Sequence, residues 1–484
     1  ADGGVFGFEY DARGRRTALT RPNGITTQAS FDPASQLQSL VHQLAGAPDP
    51  LARFEYSYNG VGNRVGLAQS RAVPPVKASL AYAYDAKDQL ISATRALLGA
   101  PPESFTYDAL GNRIARDGEP FASVFNAANQ LLEDDNACYA YDANGNRVRA
   151  QAKVSGACTG TVTEYVYDPE NRLIEVIEAG ATIARYRYDA LGRRIEKVTA
   201  AGTRRYVYDR EDIFLEYDAT DTLRARYTHG PGVDEPLAME RDIDGDGAFE
   251  TLSYHSDALG SVTELTDAAG AVVQAYVYDA FGETTITDGT GTTLEAVAAI
   301  ANPYAYTARE LDAETGEYFY RARYYAQGLG RFGTEDPIGF AGGSANLYGY
   351  VLNNPINATD PLGLATFSFG FGGSFQQTAA GASASGNVGF DTSGQVCFQF
   401  TTCGRVGPGQ SAGATANFTF GEGNFCEGNS VSAGLFAEGG AGLFGGGSVD
   451  VGMGGVSGSG GVNVGIGGGA ALGSQACLTR TWCL

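Results

Sequence analysis

Several features common in enzymes and membrane proteins are scarce or missing from this sequence. No run of about 18 apolar residues occurs, so no transmembrane helix is expected. Lysine is nearly absent and the formal net charge is −22, so the chain offers no basic surface for nucleic acid as its main partner. Only three histidines occur and no cysteines form a Cys-x-x-Cys pair, which argues against a structural zinc site.

Glycine is abundant, with 68 residues, and it is accompanied by 27 tyrosines and 25 phenylalanines. This mixture is typical of short β-strands joined by tight turns, and it does not fit a helical bundle. At 484 residues the chain is too long for one hydrophobic core, so two or more structural units are expected. The sequence therefore predicts an all-β protein. Its first residues already follow the repeat pattern described next, which predicts a piece of a longer protein.

A repeated unit, aromatic-x-Tyr-Asp-x-x-Gly-x-Arg followed by an apolar residue, runs from residue 1 to about 290. Clear copies place Tyr-Asp at 10–11, 107–108, 141–142 and 188–189, and weaker copies lie at 58–59, 84–85, 167–168, 208–209 and 278–279. In each copy a strand ends at Tyr, Asp and Gly form a turn, and the return strand begins near Arg. Because one hairpin is barely stable alone, successive hairpins should pair edge to edge into a long, curling antiparallel sheet.

One loop departs from the repeat and has the pattern of a calcium-binding loop. Asp242, Asp244 and Asp246 occupy loop positions 1, 3 and 5, and Gly247 occupies position 6. Glu250 is a candidate fourth ligand, although position 12 is not a bidentate Glu. The alternative is an acidic hairpin loop that holds no metal.

The stretch 331–364 contains two Asp-Pro-x-Gly units, beginning at Asp336 and Asp360, on either side of a predicted aromatic strand over 347–352. The stretch from Asn302 to Leu364 resembles the core segment that closes the shells of the RHS family of YD-repeat proteins, which includes the C components of Tc toxins and polymorphic toxins. The resemblance implies a hollow or partial β-shell over 1–300, a plug over 301–364 and a variable domain over 365–484.

The resemblance also implies a self-cleavage site between Leu364 and Ala365. Asp336 and Asp360 match the family's aspartates, and two nearby carboxylates can act as the base and the acid of aspartyl proteolysis. Arg331 is expected to hold one carboxylate ionised. The competing interpretation is that both Asp-Pro units only form turns. The enzymatic activity expected is at most a single-turnover autoproteolysis, which requires no cofactor.

The tail, residues 365–484, is rich in Gly and carries Phe or Val with period two, which predicts β-strands. It has no His and no Lys, so it lacks the base or metal ligands of a nuclease, a deaminase or a Cys–His hydrolase. A membrane-inserting β-structure and a disulfide-pinned β-domain without toxic action both remain open.

Seven cysteines are candidates for disulfides. Cys138 and Cys158 flank one repeat hairpin, where they form either a bridge or two buried thiols. The other five lie in the tail and indicate an oxidising destination: Cys397, Cys403, Cys426, Cys477 and Cys483.

The sequence thus predicts a shell that encloses or presents its own C-terminal tail as cargo and releases it by self-cleavage. Its expected location is the exterior or surface of a bacterial cell. A delivery or immunity protein and a target membrane are its expected partners. The alternative is a structural or adhesive surface protein whose repeat array contacts glycans, without a toxic tail.

Overall fold

The computed structural model describes residues 4–96, 102–117, 119–120, 123–294 and 300–364, and beyond residue 364 only the strands named below. The chain divides into two compact units, Ala1–Gly373 and Ser374–Leu484. The described residues are almost entirely β-structure, which confirms the predicted fold class. Three short 3-10 helices lie at Tyr306–Ala308, Gly339–Gly342 and Val351–Asn353, and no helix among the described residues is long and apolar enough to cross a membrane.

The first unit begins with an eleven-stranded sheet in which each strand pairs antiparallel with the next one along the chain. Its strands are β1 (Gly7–Tyr10), β2 (Arg16–Thr20), β3 (Ile25–Phe31), β4 (Leu37–Leu44), β5 (Ala52–Tyr58), β6 (Arg64–Arg71), β7 (Val76–Tyr84), β8 (Leu90–Ala96), β9 (Glu103–Tyr107), β10 (Arg113–Arg116) and β11 (Glu119–Pro120).

A sixteen-stranded sheet with the same sequential antiparallel order follows. Its strands are β12 (Val124–Phe125), β13 (Leu131–Glu133), β14 (Ala137–Tyr141), β15 (Arg147–Ala152), β16 (Val162–Tyr167), β17 (Leu173–Glu178), β18 (Ala181–Tyr188), β19 (Arg194–Thr199), β20 (Gly202–Asp209), β21 (Asp212–Tyr217), β22 (Leu223–His229), β23 (Pro236–Arg241), β24 (Glu250–Ser256), β25 (Val262–Thr266), β26 (Val272–Tyr278) and β27 (Thr284–Asp288). The expected continuous sheet is thus divided between β11 and β12, which have only two residues each.

The repeat turns follow the predicted hydrogen-bond chemistry, as the turn at Asp189 illustrates. Asp189 Oδ1 accepts the amides of Leu191 and Arg193, each at 2.9 Å. Gly192 N donates to Asp189 O at 3.1 Å, and Gly192 has a φ of +81°, which glycine adopts without steric cost. Asp therefore closes the turn, and Gly provides the left-handed residue that the turn requires.

The repeat tyrosines have a structural role that the sequence pattern does not explain. Tyr188 Oη donates to the carbonyl of Leu173 at 2.7 Å, and Tyr58 Oη donates to Leu37 O at 2.7 Å. The same kind of bond is made by Tyr84, Tyr107, Tyr167 and Tyr208. Each hydroxyl contacts the start of an earlier return strand, so these bonds join adjacent hairpins.

The two sheets also contact each other directly. Arg71 in β6 forms a buried ion pair with Glu264 in β25, with 2.6 Å between Nε and Oε1. In β4, His42 Nε2 lies 3.0 Å from the carbonyl oxygen of Ser256 in β24. These contacts connect the sheets, although no strand pairing among the described residues joins them.

The core segment forms a four-stranded antiparallel sheet that packs against the sixteen-stranded sheet. Its strands are β28 (Glu310–Asp312), β29 (Glu317–Tyr320), β30 (Arg323–Ala326) and β31 (Arg331–Phe332). Tyr325 and Tyr350 lie fully buried in its centre, with ring centroids 4.2 Å apart. The segment also reaches the eleven-stranded sheet, because Asn353 Nδ2 donates to Gly111 O at 2.8 Å.

The predicted strand over 347–352 is wrong. Gly349 makes an isolated bridge to Arg331, and the chain then enters the 3-10 helix Val351–Asn353. Val351 and Leu352 have φ values of +43° and +54°, and this left-handed backbone cannot continue a strand. The aromatic alternation of Tyr348 and Tyr350 thus reflects burial of both rings and not strand pairing.

Cys138 and Cys158 form a disulfide, with 5.9 Å between their Cα atoms. Of the two interpretations left open by the sequence, the bridge is therefore the correct one. It ties β14 to the loop after β15.

The second unit contains one eight-stranded sheet with the order β32-β33-β34-β39-β36-β37-β38-β35. Its strands are β32 (Gln377–Ala379), β33 (Ala382–Phe390), β34 (Val396–Val406), β35 (Ala414–Phe418), β36 (Asn429–Glu438), β37 (Gly442–Gly452), β38 (Gly455–Ile466) and β39 (Ala471–Cys483). The period-two pattern of the tail therefore indicated strands correctly.

Candidate active site

The structure brings the two predicted aspartates together around one arginine. Asp336 Oδ2 and Asp360 Oδ2 both lie 3.2 Å from the Nη2 atom of Arg323. The side chains of Arg323 and Asp360 are almost completely buried, and that of Asp336 is 9% exposed. Two carboxylates on one guanidinium nitrogen are close enough for their protonation to be linked.

Each aspartate is held by the turn that its own Asp-Pro unit forms. Asp336 Oδ1 accepts the amide of Ile338 at 3.0 Å, and Asp360 Oδ1 accepts the amide of Leu364 at 3.0 Å. The backbone amide of Asp336 donates to Leu347 O at 3.0 Å. The turn interpretation therefore describes the local structure. The same turns leave the Oδ2 atom of each aspartate in contact with Arg323.

The end of the described segment lies against these carboxylates. A methyl group added at Gly342 would lie 2.5 Å from Asp336 Oδ2 and 3.0 Å from the carbonyl oxygen of Leu364, so both atoms face the same narrow space. Leu364 carries the carbonyl of the predicted scissile bond. Ala365, on the other side of that bond, lies outside the described residues.

Gly363 allows the backbone before Leu364 to pass close to the carbonyl of Tyr320. It has a φ of +67°, and a Cβ atom there would lie 2.3 Å from the carbonyl oxygen of Tyr320. Arg323 Nε donates to Gly363 O at 2.5 Å, and Arg323 Nη1 donates to Leu347 O at 3.0 Å. The arginine therefore positions the backbone before the scissile bond as well as the two carboxylates.

A small cavity of about 10 Å³ lies beside these groups, and Arg323, Asp336, Gly342 and Asp360 contribute to its wall. This volume is close to the space that one water molecule needs. The cavity therefore has the size for one water molecule.

The electrostatics differ between the members of the site. Burial raises the pKa of Asp336 to about 6, although Arg323 opposes the rise. Burial lowers the pKa of Arg323, although Asp360 and Asp336 oppose the decrease. Asp336 can therefore carry a proton at a pH where an ordinary aspartate is ionised.

Arg331, the arginine predicted from the sequence, does not contact the aspartates. Its guanidinium donates to the carbonyl of Asn129 and stacks on Phe125 and Tyr348, and burial lowers its pKa to about 10. Arg323 could not be identified from the sequence, because the position of β30 beside both Asp-Pro turns leaves no spacing signal in the chain.

The predicted calcium loop is partly assembled. Carboxylate oxygens of Asp242, Asp244 and Asp246 lie within 4.8 Å of one another. Glu250 is not in this group, and its Oε2 accepts the amide of Ile243 at 3.1 Å. Asp242 Oδ2 also pairs with Arg224 at 2.8 Å. Three ligand atoms are therefore in place, and calcium binding stays a prediction.

Four of the five tail cysteines lie in strands of the second unit: Cys397, Cys403, Cys477 and Cys483. Cys426 lies outside the described residues.

A family model described as the teneurin YD-shell matches residues 53–356. The double-stranded DNA deaminase toxin A of Burkholderia cenocepacia is 30% identical over 393 residues, which cover 75% of this chain and 26% of that protein. The tRNA nuclease WapA of Bacillus subtilis is 30% identical over 74% of this chain and 15% of its own length. Toxin protein Tse5 of Pseudomonas aeruginosa is 29% identical over 74% of this chain and 30% of its own length.

A solved structure of the Photorhabdus luminescens Tc holotoxin pore has a fold similar to that of this chain. The structural match covers 75% of this chain and 19% of the toxin chain, with a TM-score of 0.59 and 20% sequence identity. This chain thus spans less than a third of the length of each of these proteins.

Proposed function

The chain belongs to the teneurin YD-shell family, and on that premise we propose that it is an RHS-type shell protein that releases its own C-terminal tail by self-cleavage after Leu364. The observation that carries the proposal is that Asp336 and Asp360 share Arg323, while the Leu364 carbonyl oxygen borders the same narrow space at Gly342 as Asp336. If the two Asp-Pro units only formed turns, the fold would have no reason to place the carbonyl of the predicted scissile bond beside carboxylates that share a buried arginine.

The proposed reaction is hydrolysis of the Leu364–Ala365 bond by one water molecule. Protonated Asp336 faces the Leu364 carbonyl oxygen and polarises it, while ionised Asp360 takes a proton from the attacking water. The tetrahedral intermediate collapses as a proton passes to the Ala365 nitrogen. The products are the carboxylate of Leu364 and the amine of Ala365. Arg323 acts as the positioning residue and stabilises the negative charge of Asp360.

The tail is the proposed cargo, and its composition limits its activity. Several relatives are named as nucleases or as a DNA deaminase, but residues 365–484 contain no His and no Lys. We therefore assign the tail to membrane action or to a disulfide-pinned β-domain without toxic action. Leakage of dye from liposomes upon addition of the released tail distinguishes these two outcomes.

Location and partners follow from the same proposal. A toxin-like shell that releases a cargo acts outside the producing cell, so we propose export to the cell surface or medium. A delivery protein and an immunity protein for the tail are the corresponding partners. Glycan binding by the repeat array, without leakage, would favour the adhesive alternative. The tyrosine hydroxyls that bond to backbone carbonyls give that alternative no support.

The test uses the isosteric variants Asp336→Asn and Asp360→Asn in the full chain. Both keep an oxygen that can accept the turn amides, so the fold is retained while the acid and base are removed. Asp267→Asn is the matched control, because other repeats carry Asn59 and Asn126 at the equivalent turn position. On denaturing gels, the two site variants should stay at full length and the control should separate into two fragments. Fragments in either site variant would refute the assignment of the dyad.

A further inference from the structure

We propose that two cross-strand disulfides, Cys397–Cys483 and Cys403–Cys477, connect β34 to β39 in the second unit. In the antiparallel pairing of these strands, Cys397 lies directly opposite Cys483, and Cys403 lies directly opposite Cys477. One register thus aligns both pairs. This is possible because the two cysteines are equally far apart, six residues, in each strand.

The spacing also places all four cysteines on one face of the sheet. Side chains alternate between the faces with a period of two, so residues six apart share a face. An even offset also gives both pairs the same position in the alternation of hydrogen-bonded and non-hydrogen-bonded pairs. In both types the Cα atoms are about 4.5–5.5 Å apart, within the range that a disulfide spans.

Other pairings among these four cysteines do not fit the strands. Residues six apart along one strand are separated by roughly 20 Å, and the diagonal pairs across the two strands are equally distant. That distance is well beyond the Cα separation of a disulfide. On the outer sides of the two strands the residues opposite the cysteines are Gly389, Ser383 and Ser432. Among the described strands, the pairs Cys397–Cys483 and Cys403–Cys477 are therefore the ones that fit a disulfide.

Each bridge forms when two thiols transfer two electrons and two protons to an oxidised thiol–disulfide oxidoreductase, whose own disulfide becomes a dithiol. β34 and β39 lie next to each other inside the eight-stranded sheet. The bridges therefore fasten β39 to its neighbour β34 in the interior of that sheet. This arrangement requires that the tail folds in an oxidising compartment, as the disulfide between Cys138 and Cys158 also indicates.

The test is a disulfide map of the full chain made under oxidising conditions. Free thiols are alkylated, and the unreduced protein is digested with trypsin and chymotrypsin, which cut between the two cysteines of each strand. Mass spectrometry should find the peptide of Cys397 linked to that of Cys483 and the peptide of Cys403 linked to that of Cys477, with Cys426 alkylated. The Cys138–Cys158 bridge is the internal control for oxidation. A sample that contains that bridge but shows other tail pairings, or alkylation of Cys397, Cys403, Cys477 or Cys483, would overturn the proposal.

Single variants test the pairing independently. In Cys397→Ser, new alkylation should appear only at Cys483, in addition to Cys426, and the bridge between Cys403 and Cys477 should persist. In Cys426→Ser, both bridges should remain. Alkylation of Cys403 or Cys477 in the first variant, or loss of either bridge in the second, would contradict the assigned pairs.

Discussion

At the scale of single residues, Arg323 connects the end of the core segment to both aspartates. Its three guanidinium nitrogens contact two carboxylates and two backbone carbonyls. Its face also stacks on Phe332, with 3.6 Å between Cζ and the ring centroid. A planar, permanently charged group with several donors suits this position, and the single ammonium group of lysine would not make the same set of contacts.

Because the space at Gly342 is narrow, adding one methyl group there should slow self-cleavage. In Gly342→Ala the new Cβ would lie 2.5 Å from Asp336 Oδ2 and 3.0 Å from Leu364 O, so it would displace both groups. Because small misplacements of reacting groups reduce rates strongly, self-cleavage should slow by roughly 100-fold. Gly328→Ala is the control, since a methyl group there meets no neighbour within 4 Å. Time courses on denaturing gels measure both rates, and equal rates in the two variants would contradict the placement of Asp336.

The pH dependence of cleavage follows from the raised pKa of Asp336, which burial brings to about 6. Asp336 acts in its protonated form, so the active fraction decreases tenfold for each pH unit above that value. Denatured intact chain, recovered from inclusion bodies, can be refolded at pH values from 5 to 8 and its cleavage rate measured. The rate should decrease between pH 6 and pH 8. A rate that stays constant or rises over this range would show that Asp336 is not the proton donor.

The aspartates of the site were expected from the resemblance to the RHS family, and its arginine was missed. The Asp-Pro pattern around Asp336 and Asp360 predicts turns from a few consecutive residues, but it does not indicate that the two turns lie close together. Arg323 reaches them through the packing of β30, which depends on contacts distant in sequence. Arg331 lies nearer to Asp336 along the chain, but its β31 position directs it towards Asn129.

At the scale of elements, buried ion pairs connect repeat strands to the core segment. Arg194 at the start of β19 contacts Glu310 at 2.7 Å and Asp312 at 2.5 Å. Burial alone would raise the pKa of Asp312, but Arg194 and Lys197 lower it to about 2. The carboxylates of β28 thus depend on cations from the repeat array.

Removal of Arg194 should destabilise the first unit far more than removal of its neighbour in sequence. Arg194→Ala leaves two buried carboxylates without their main partner, which should lower the free energy of unfolding by about 3–5 kcal/mol. Arg193→Ala removes a partly exposed pair with Asp189 and should lower it by about 0–1 kcal/mol. Urea unfolding followed by circular dichroism gives both values. Similar losses in the two variants would contradict the account of these pairs.

The acidic loop between β23 and β24 should bind calcium weakly. Three clustered carboxylates should bind calcium with a dissociation constant on the order of 10⁻⁴ M, as open extracellular sites do. Asp246→Asn should weaken binding at least tenfold, on the order expected for the loss of one charged ligand. Asp221→Asn, in an exposed turn, should not change it. Isothermal titration calorimetry measures the affinity, and the absence of heat at millimolar calcium would favour the acidic hairpin loop.

The hairpins themselves were largely predictable, because the Asp and Gly residues that form each turn lie within a few consecutive residues. The division into two sheets was not predictable, since it arises where strands become too short to continue the ladder. The left-handed residues Val351 and Leu352 were also missed, because neither residue type normally signals positive φ.

At the scale of the whole molecule, the three histidines make stability sensitive to acid. Burial lowers the pKa of His42 to about 3 and that of His229 to about 4. Burial also lowers the pKa of His255. Arg21 and Arg71 add to the effect at His42. The folded chain therefore favours neutral histidines.

Stability should consequently decrease as the pH falls below about 6.5, where histidines of the unfolded chain take up protons. Each histidine should contribute a slope of about 1.4 kcal/mol per pH unit until its folded pKa is reached. Urea unfolding between pH 7 and pH 4.5 measures this slope. His229→Gln should reduce the slope by the contribution of one proton, and an unchanged slope would contradict the assignment.

We propose that the shell protein cuts itself between Leu364 and Ala365. The intact mass of freshly purified full-length protein, measured after denaturation and reduction, tests this directly. Self-cleavage should give two components whose masses correspond to residues 1–364 and 365–484. A single component with the mass of the uncut chain, or a boundary at another bond, would contradict it.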